Sequence, residues 1–272
     1  MRPAVVSVPT RAAGWCLTGC SGPALTVATS PPPVRTRFFL GMSAALLLTV
    51  LVGFSPTLYL RAYFDVPDIS GSVWAHGIVL TGWFVWLMVQ TGLIALGRTD
   101  LHRWMGVIGV GLGVAVVVVG SIVAMNFAER ARTQGVDLGP NSSELIITWQ
   151  NFALLLSFSV FVSFGVALRR RADMHKRLMI LASVSLISPA IARIARWTVL
   201  GGQGVATPVP GSPLIPTVVL TLLLALVLHD VVSRKRVHTV TVAGGLFFVL
   251  TLIGAAFVAN TDTGRVFVYG QP

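Results

Sequence analysis

Seven long apolar segments separated by short polar loops dominate the chain. They cover roughly residues 39–60, 73–96, 104–126, 145–168, 177–198, 214–232 and 239–259. Each is close to the about 20 residues that an α-helix needs to cross the hydrocarbon core of a bilayer. Aromatic residues suited to the headgroup level lie near the segment ends, namely Tyr59, Trp74, Trp104, Trp149 and Trp197. The pattern predicts an all-α integral membrane bundle of seven transmembrane helices.

The composition excludes a soluble domain of this size. Apolar residues make up 54% of the 272 residues, charged residues only 11%, and the mean hydropathy is +0.82. Residues 1–37 are basic and contain a run of three prolines, which predicts a disordered cytoplasmic tail. Residues 38–260 form the predicted transmembrane domain, and residues 261–272 a short extracytoplasmic tail. The two cysteines, Cys16 and Cys20, predict neither a zinc site nor a disulfide framework.

Positive charge is distributed unevenly along the chain, which has 20 Lys and Arg against 9 Asp and Glu. Fourteen of the basic residues lie within residues 2–37, 98–103, 169–177 and 234–236, in the tail and in every second loop. Lys and Arg accumulate in cytoplasmic loops. We therefore expect a protein of the inner, cytoplasmic membrane with its amino terminus inside and its carboxyl terminus outside. The basic excess then faces lipid headgroups, and nucleic acid is not a predicted partner.

A short motif recurs where three inner loops enter the next helix. Arginine precedes histidine by four residues in 98–102, 171–175 and 234–238, and the first two copies share an acid two residues before the histidine. Those two copies are 73 residues apart, about the length of a helical hairpin with its loop. We infer one leading helix followed by three hairpins in the same orientation. Chance similarity between basic loops is the alternative.

The histidines of this motif have two interpretations that the sequence leaves open. In the first, the acid caps free N–H groups of the next helix, and His102, His175 and His238 are interfacial anchors. In the second, His102 and His175, or one of them with His229, are the axial ligands of one haem b or part of a proton path. Haem b is the only cofactor that the sequence suggests.

A second group of polar residues lies at a common depth in the outer half of the predicted bundle. Ionisable groups within a span are costly and usually face the interior of a bundle. The group consists of His76, Asn126, Gln150, Asn151, Arg193 and Arg196. It predicts an outer-facing polar cavity, next to which Pro56 kinks the first helix. The alternatives are arginines that reach the outer headgroups and polar groups that hydrogen-bond helices to each other.

Several motifs carry a resemblance to known proteins. They are FSPTLYLR at residues 54–61, His76 with Trp83 and Gln90, GRTDLHR at 97–103 and DMHKRLM at 173–179. Over about residues 38–240 the chain resembles a group of uncharacterised bacterial multi-pass membrane proteins with an LHR-type loop motif, which implies the fold but no activity. More loosely, the paired histidines are similar to the cytochrome b561 type, which implies haem. Since His76 is the only histidine in the outer half, only one inner haem is compatible with the sequence.

Enzyme motifs are absent from the sequence: it has no Gly-rich phosphate loop, no HExxH helix and no GxSxG elbow. Binding or transport of a small or lipid-like ligand in the outer cavity is therefore the leading hypothesis. Electron transfer or oxidase assembly through a single b-type haem is the alternative. The glycines at 106, 109, 111 and 113 suit close helix packing. That packing occurs within one bundle or against a partner, in a homo-oligomer or a larger membrane complex.

Overall fold

The computed structural model describes residues 34–64, 66, 68–133, 142–200 and 212–269. Most of the predicted disordered tail lies outside the described residues, but its last four residues already belong to the first helix. Every regular element in the described ranges is helical. The α-helices are α1 (Val34–Phe54), α2 (Gly71–Ala95), α3 (Thr99–Thr133), α4 (Ser143–Ala167), α5 (Ala172–Ser185), α6 (Ser188–Leu200), α7 (Leu214–Arg234), α8 (Thr239–Ala259) and α9 (Asp262–Tyr269).

Six of these helices are long and apolar enough to cross a bilayer, and α5 and α6 together form a seventh candidate span. The structure is that of an all-helical, multi-pass bundle compatible with a membrane. Large apolar side chains such as Leu48, Val107 and Phe257 are exposed on its outer surface. Such a surface is unfavourable in water and suits contact with lipid.

The fifth apolar segment was predicted as one continuous helix, but in the structure it is not continuous. It is divided into α5 and α6, which are bent by about 40° relative to each other. The break lies at Leu186 and Ile187, just before Pro189. Proline has no backbone N–H and its ring clashes with the preceding turn. The helix therefore cannot continue without a break at this position.

Two other segments also depart from a simple span. The first helix changes at Pro56 from an α-helix to a π-helical turn, Ser55–Tyr59, and then to a short 3-10 turn, Arg61–Tyr63. The change in helix type lies at Pro56, where the sequence predicted a kink. The predicted carboxyl-terminal tail contains the amphipathic helix α9, whose Phe267 contacts Trp149 at the start of α4.

The bundle has two chemically different ends. At the basic end, α3, α5 and α8 begin and α2, α4 and α7 end. The connecting loops and the start of α3 carry the exposed bases Arg98, Arg103, Arg169, Arg170, Arg171, Lys235 and Arg236. At the opposite end lie the π-helical turn, the start of α2 and helix α9. Between them, α4 packs against α3, α5 and α8, while α1 packs against α2 and α6. Phe84, Phe158, Leu181 and Phe248 are at most 1% exposed in the shared core.

Helices α1 and α6 approach each other closely at Gly53. A Cβ atom at this position would lie 2.5–3.0 Å from the backbone oxygen, Cα and carbonyl carbon of Ala190. Backbone atoms cannot move aside as the end of a side chain can, so only glycine permits this approach. The contact holds the π-helical end of α1 against the start of α6.

Candidate functional site

A small pocket lies between the π-helical end of α1, helix α2 and the end of α5. Its free space is about 20 Å³, enough for one or two water molecules. The lining residues are Val50, Phe54, Leu58, His76, Gly77, Leu80, Thr81, Phe84 and Leu186. Most of the lining residues are apolar, and His76 and Thr81 are polar. Small-molecule sites have a similar lining but are larger, so a ligand would have to widen this pocket.

The π-helical turn contributes Leu58 to the wall of the pocket. A π-turn widens the helix by one residue and is often found at functional positions. Here it places Leu58 directly over Gly77, where an added Cβ would lie 2.8 Å from the Cδ2 atom of Leu58. The hydroxyls of Tyr59 and Thr81 form a 2.6 Å hydrogen bond, and Thr81 also donates to the carbonyl of Gly77 at 2.7 Å. These contacts fix the turn against α2.

His76 and Arg193 are the two site residues from the sequence that the structure brings together. The Nδ1 atom of His76 is buried in the pocket wall and has no hydrogen-bond partner among the described residues. The guanidinium of Arg193 lies 4.3 Å from the ring centroid of Phe54, which lines the pocket, and its charge acts on His76. Its Nη1 donates to the carbonyl of Pro189 at 3.1 Å. The pocket therefore adjoins a cation as well as an unsatisfied imidazole.

Arg193 is not itself a lining residue of the pocket, and the other predicted cavity residues also lie outside the lining. Arg196 is 7% exposed on α6, Asn151 is half-buried, and Gln150 and Asn126 are exposed. Near Gln150 and Asn151, Trp149 donates to the carbonyl of Gly264 at 3.2 Å. The start of α4 therefore contacts α9 through Trp149. A common depth in the membrane does not place residues on the same side of a helix, and their positions along the chain predicted only the depth.

At the basic end, His102 and His175 face each other from the first turns of α3 and α5. Their ring centroids are 6.2 Å apart, with an angle of 75° between the ring planes. His175 Nδ1 is 2.8 Å from the carbonyl of Gly165 on α4, which leaves its Nε2 for another partner. The Nδ1 atom of His102 and both amide atoms of Gln90 are buried without a hydrogen-bond partner in the described structure. This is a second place where polar groups converge.

The remaining two histidines have other surroundings. The ring of His229 stacks on Phe38 at 4.0 Å and meets the edge of Phe39. His238 is the N-cap of α8, where its Nδ1 accepts a 3.1 Å hydrogen bond from the backbone N–H of Val240. Burial lowers the pKa of His238, with Arg177 and Arg234 adding to this effect and Asp230 and Asp173 opposing it. The sequence analysis proposed that the acids of the motif cap the next helix. At the start of α8, the histidine of the motif does so instead.

The sequence analysis missed an ionic network that joins three helices at the basic end. Asp230 on α7 is fully buried and accepts hydrogen bonds from Nε of Arg177 at 3.0 and 3.2 Å, from the Thr241 hydroxyl at 2.6 Å and from the backbone N–H of His238 at 3.3 Å. Arg177 is 1% exposed. Asp173 forms ion pairs with Arg234 and Lys176. The available signal was an acid within an apolar segment, at the same depth as Arg177.

In the described part of the chain, no group of three or more His, Cys, Asp or Glu residues could hold a metal ion. Comparison of the chain with models of protein families, with curated proteins and with solved structures finds no match.

Proposed function

We propose that this chain is an integral protein of the cytoplasmic membrane that binds, or moves, a small ligand in the pocket between α1 and α2. The observation that carries the proposal is the pocket itself, with apolar walls, a buried and unpartnered His76 and the adjacent Arg193. Buried polar groups normally have hydrogen-bond partners, and a missing one often marks a ligand site. Leu58 of the π-turn lines the pocket, and the hydrogen bond between Tyr59 and Thr81 holds the turn beside it.

The proposal includes seven spans with the amino terminus inside. Its support is the ion pair between Asp173 at the start of α5 and Arg234 at the end of α7. Because α7 ends at the end of the bundle at which α5 begins, α7 has to begin at the opposite end. The bent pair α5 and α6 therefore has to cross between the two ends before α7. The exposed arginines of the basic end then face the cytoplasm, as the distribution of positive charge favours.

The experiment is a comparison of the small molecules released from purified protein. Leu80 lines the pocket, so Leu80→Phe reduces its volume, whereas Leu156 is 55% exposed on the outer surface and Leu156→Phe is a matched control. We expect mass spectrometry to detect a compound that the wild type and Leu156→Phe release in similar amounts per protein. Leu80→Phe should release less of it. Equal content in all three proteins would contradict the proposal.

A second candidate function, electron transfer through one haem b, is favoured by the geometry of His102 and His175. The ring centroids of His102 and His175 are 6.2 Å apart, and these two residues would hold the iron of one haem. The bond from His175 to Gly165 would fix the ring and leave Nε2 for the iron. A haem held by these two histidines would supply one-electron chemistry.

An absorption spectrum of the purified protein, oxidised and then reduced, tests this second candidate. We expect a Soret band that is lost in His175→Ala and kept in His238→Ser, because His238 caps α8 away from the pair. A colourless wild-type protein, produced with ample haem, would exclude the candidate and leave His102 and His175 as interfacial anchors.

A further inference from the structure

The first two copies of the motif bring arginines together at the basic end. The rings of His102 and His175 face each other with centroids 6.2 Å apart. The backbone N–H of each histidine donates at 3.0 Å to the carbonyl of the arginine four residues before it, Arg98 or Arg171. Each arginine therefore lies one helical turn, about 5.4 Å along the axis, before its histidine. Because α3 and α5 begin at the same end, both arginines lie on the loop side of the histidine pair.

The two loops that carry these arginines have fixed backbones. Gly97 has a φ of 74°, and the backbone N–H of Arg98 donates to the carbonyl of Leu93 at 2.8 Å, which closes the end of α2. In the other loop, the N–H of Arg171 donates to the carbonyl of Leu168 at 2.8 Å. The guanidinium groups thus start from defined positions, which lowers the entropy cost of binding a ligand between them.

These segments carry positive charge that the described part of the chain does not neutralise. Asp173 is already paired with Arg234 and Lys176, and Asp100 is the other acid of the two segments. Five exposed arginines take part in none of the salt bridges among the described residues, namely Arg98, Arg103, Arg169, Arg170 and Arg171. An anion from outside the chain is therefore their natural partner.

The side chains around this charge indicate what kind of anion it is. All five bases are arginines, whose planar guanidinium binds phosphate oxygens through two parallel hydrogen bonds, which the ammonium of lysine cannot do. Apolar surface adjoins them, since Leu96, Trp104 and Val107 are 77%, 71% and 75% exposed. A ligand that combines a phosphate with apolar chains fits both features.

We propose that the two loops bind the headgroup of an anionic phospholipid, with its phosphate between Arg98 and Arg171 and its chains along the exposed apolar surface beside them. General attraction of anionic lipid would involve every exposed base, including Lys235 and Arg236, whereas the proposed site involves only the two motif loops. The site is independent of ligand binding in the pocket, which lies near the opposite end.

The experiment measures binding to the full chain in a neutral maltoside detergent by native mass spectrometry. Three probes separate charge from chains: phosphatidylglycerol is anionic, phosphatidylcholine carries the same phosphate without net charge, and glycerol phosphate has no chains. We expect one phosphatidylglycerol to bind about tenfold or more tighter than either of the other two. Equal affinity for phosphatidylcholine or for glycerol phosphate would overturn an anionic phospholipid as the ligand.

Two double variants distinguish the site from general attraction, because each removes two exposed positive charges from the basic end. Arg98→Gln with Arg171→Gln should lower the affinity for phosphatidylglycerol by about tenfold or more. Lys235→Gln with Arg236→Gln is the matched control and should leave it nearly unchanged. Equal losses in the two double variants would overturn the site.

Thermal unfolding without lipid shows whether each variant is folded. If the first double variant does not fold, the single variants Arg98→Gln and Arg171→Gln replace it. Each of them should weaken binding of phosphatidylglycerol, because one phosphate contacts both arginines. Unchanged affinity in both single variants would contradict the proposed site.

Discussion

At the basic end, Asp230 accepts hydrogen bonds from an arginine, a threonine hydroxyl and a backbone N–H while it is fully buried. Its main partner, Arg177, is 1% exposed. A buried ion pair adds little compared with well-packed apolar residues, but the loss of one partner leaves an uncompensated charge. The network therefore makes the junction of α5, α7 and α8 depend on one carboxylate.

We predict that Asp230→Asn lowers the free energy of unfolding by about 3–5 kcal/mol, because Arg177 then remains buried without a negative partner. The matched control is Asp262→Asn, which removes an 89% exposed carboxylate from an ion pair with Arg265. An exposed pair of this kind contributes about 1 kcal/mol or less. Thermal unfolding in detergent measures both variants. Equal stability of the two would contradict a structural role for Asp230.

His238 makes the stability of the same junction dependent on pH. Its Nδ1 accepts the hydrogen bond that caps α8, which requires a neutral ring, and burial lowers the pKa of His238 in the folded protein. The unfolded chain, with an ordinary histidine pKa of about 6.5, therefore takes up the proton first as the pH falls. Stability is fully present above about pH 6.5 and decreases below it, until folded His238 is protonated as well.

We predict that His238→Ser reduces this pH dependence, because serine also caps helices but does not titrate between pH 8 and pH 5. The measurement is the unfolding midpoint of the wild type and the variant across that range. The difference between the two proteins isolates His238 from the other four histidines. Parallel curves for wild type and variant would show that His238 does not contribute.

At the scale of the helices, the contact between Gly53 and Ala190 decides how α1 and α6 fit together. An alanine at position 53 would place its Cβ against backbone atoms of Ala190, whereas a Cβ at Gly41, also on α1, would meet no atom within 4 Å. The two glycines therefore have different roles in one helix. Gly53 permits a close approach, while Gly41 has no such neighbour.

We predict that Gly53→Ala destabilises the protein by about 1–3 kcal/mol, the usual cost of overpacking. Gly41→Ala should be neutral or slightly stabilising, because alanine favours a helix by about 1 kcal/mol over glycine. Since Phe54 and Val50 line the pocket, Gly53→Ala should also weaken ligand binding. Thermal unfolding and mass spectrometry of the released compounds test the two effects, and the same result for the two glycines would contradict the packing argument.

Apolar length predicted the six long helices because each span is set by the thickness of the bilayer. The sequence also predicted a kink at Pro56, where the helix type changes. It missed the break before Pro189, although the same residue type was present, because apolar residues continue on both sides of that proline. The polar sites were harder to derive. Partners such as Arg177 and Asp230 lie 53 residues apart, and only the packing of whole helices brings them together.

On the scale of the whole molecule, the large apolar side surface is compatible with a bilayer, and the proposed orientation places the exposed bases of the basic end in the cytoplasm. The number of spans determines how the two ends relate to the membrane. If α5 and α6 cross together, the chain makes seven crossings, and the segment before α2 lies on the same side as the segment after α8. If they instead enter and leave on one side, these two segments lie on opposite sides.

Labelling of single cysteines in intact cells distinguishes these two arrangements. In a chain with Cys16 and Cys20 replaced by serine, we predict that a membrane-impermeant maleimide labels Ser72→Cys and Asp262→Cys but labels Arg170→Cys only after the cells are lysed. Ser72 and Asp262 lie at the opposite end, whereas Arg170 is exposed at the basic end. Labelling of Ser72→Cys without Asp262→Cys would instead mean six crossings and a re-entrant α5 and α6. The pocket would keep its α1 and α2 walls in that case, but the ion pair between Asp173 and Arg234 would be incompatible with it, so the labelling pattern also tests the packing of α5 against α7.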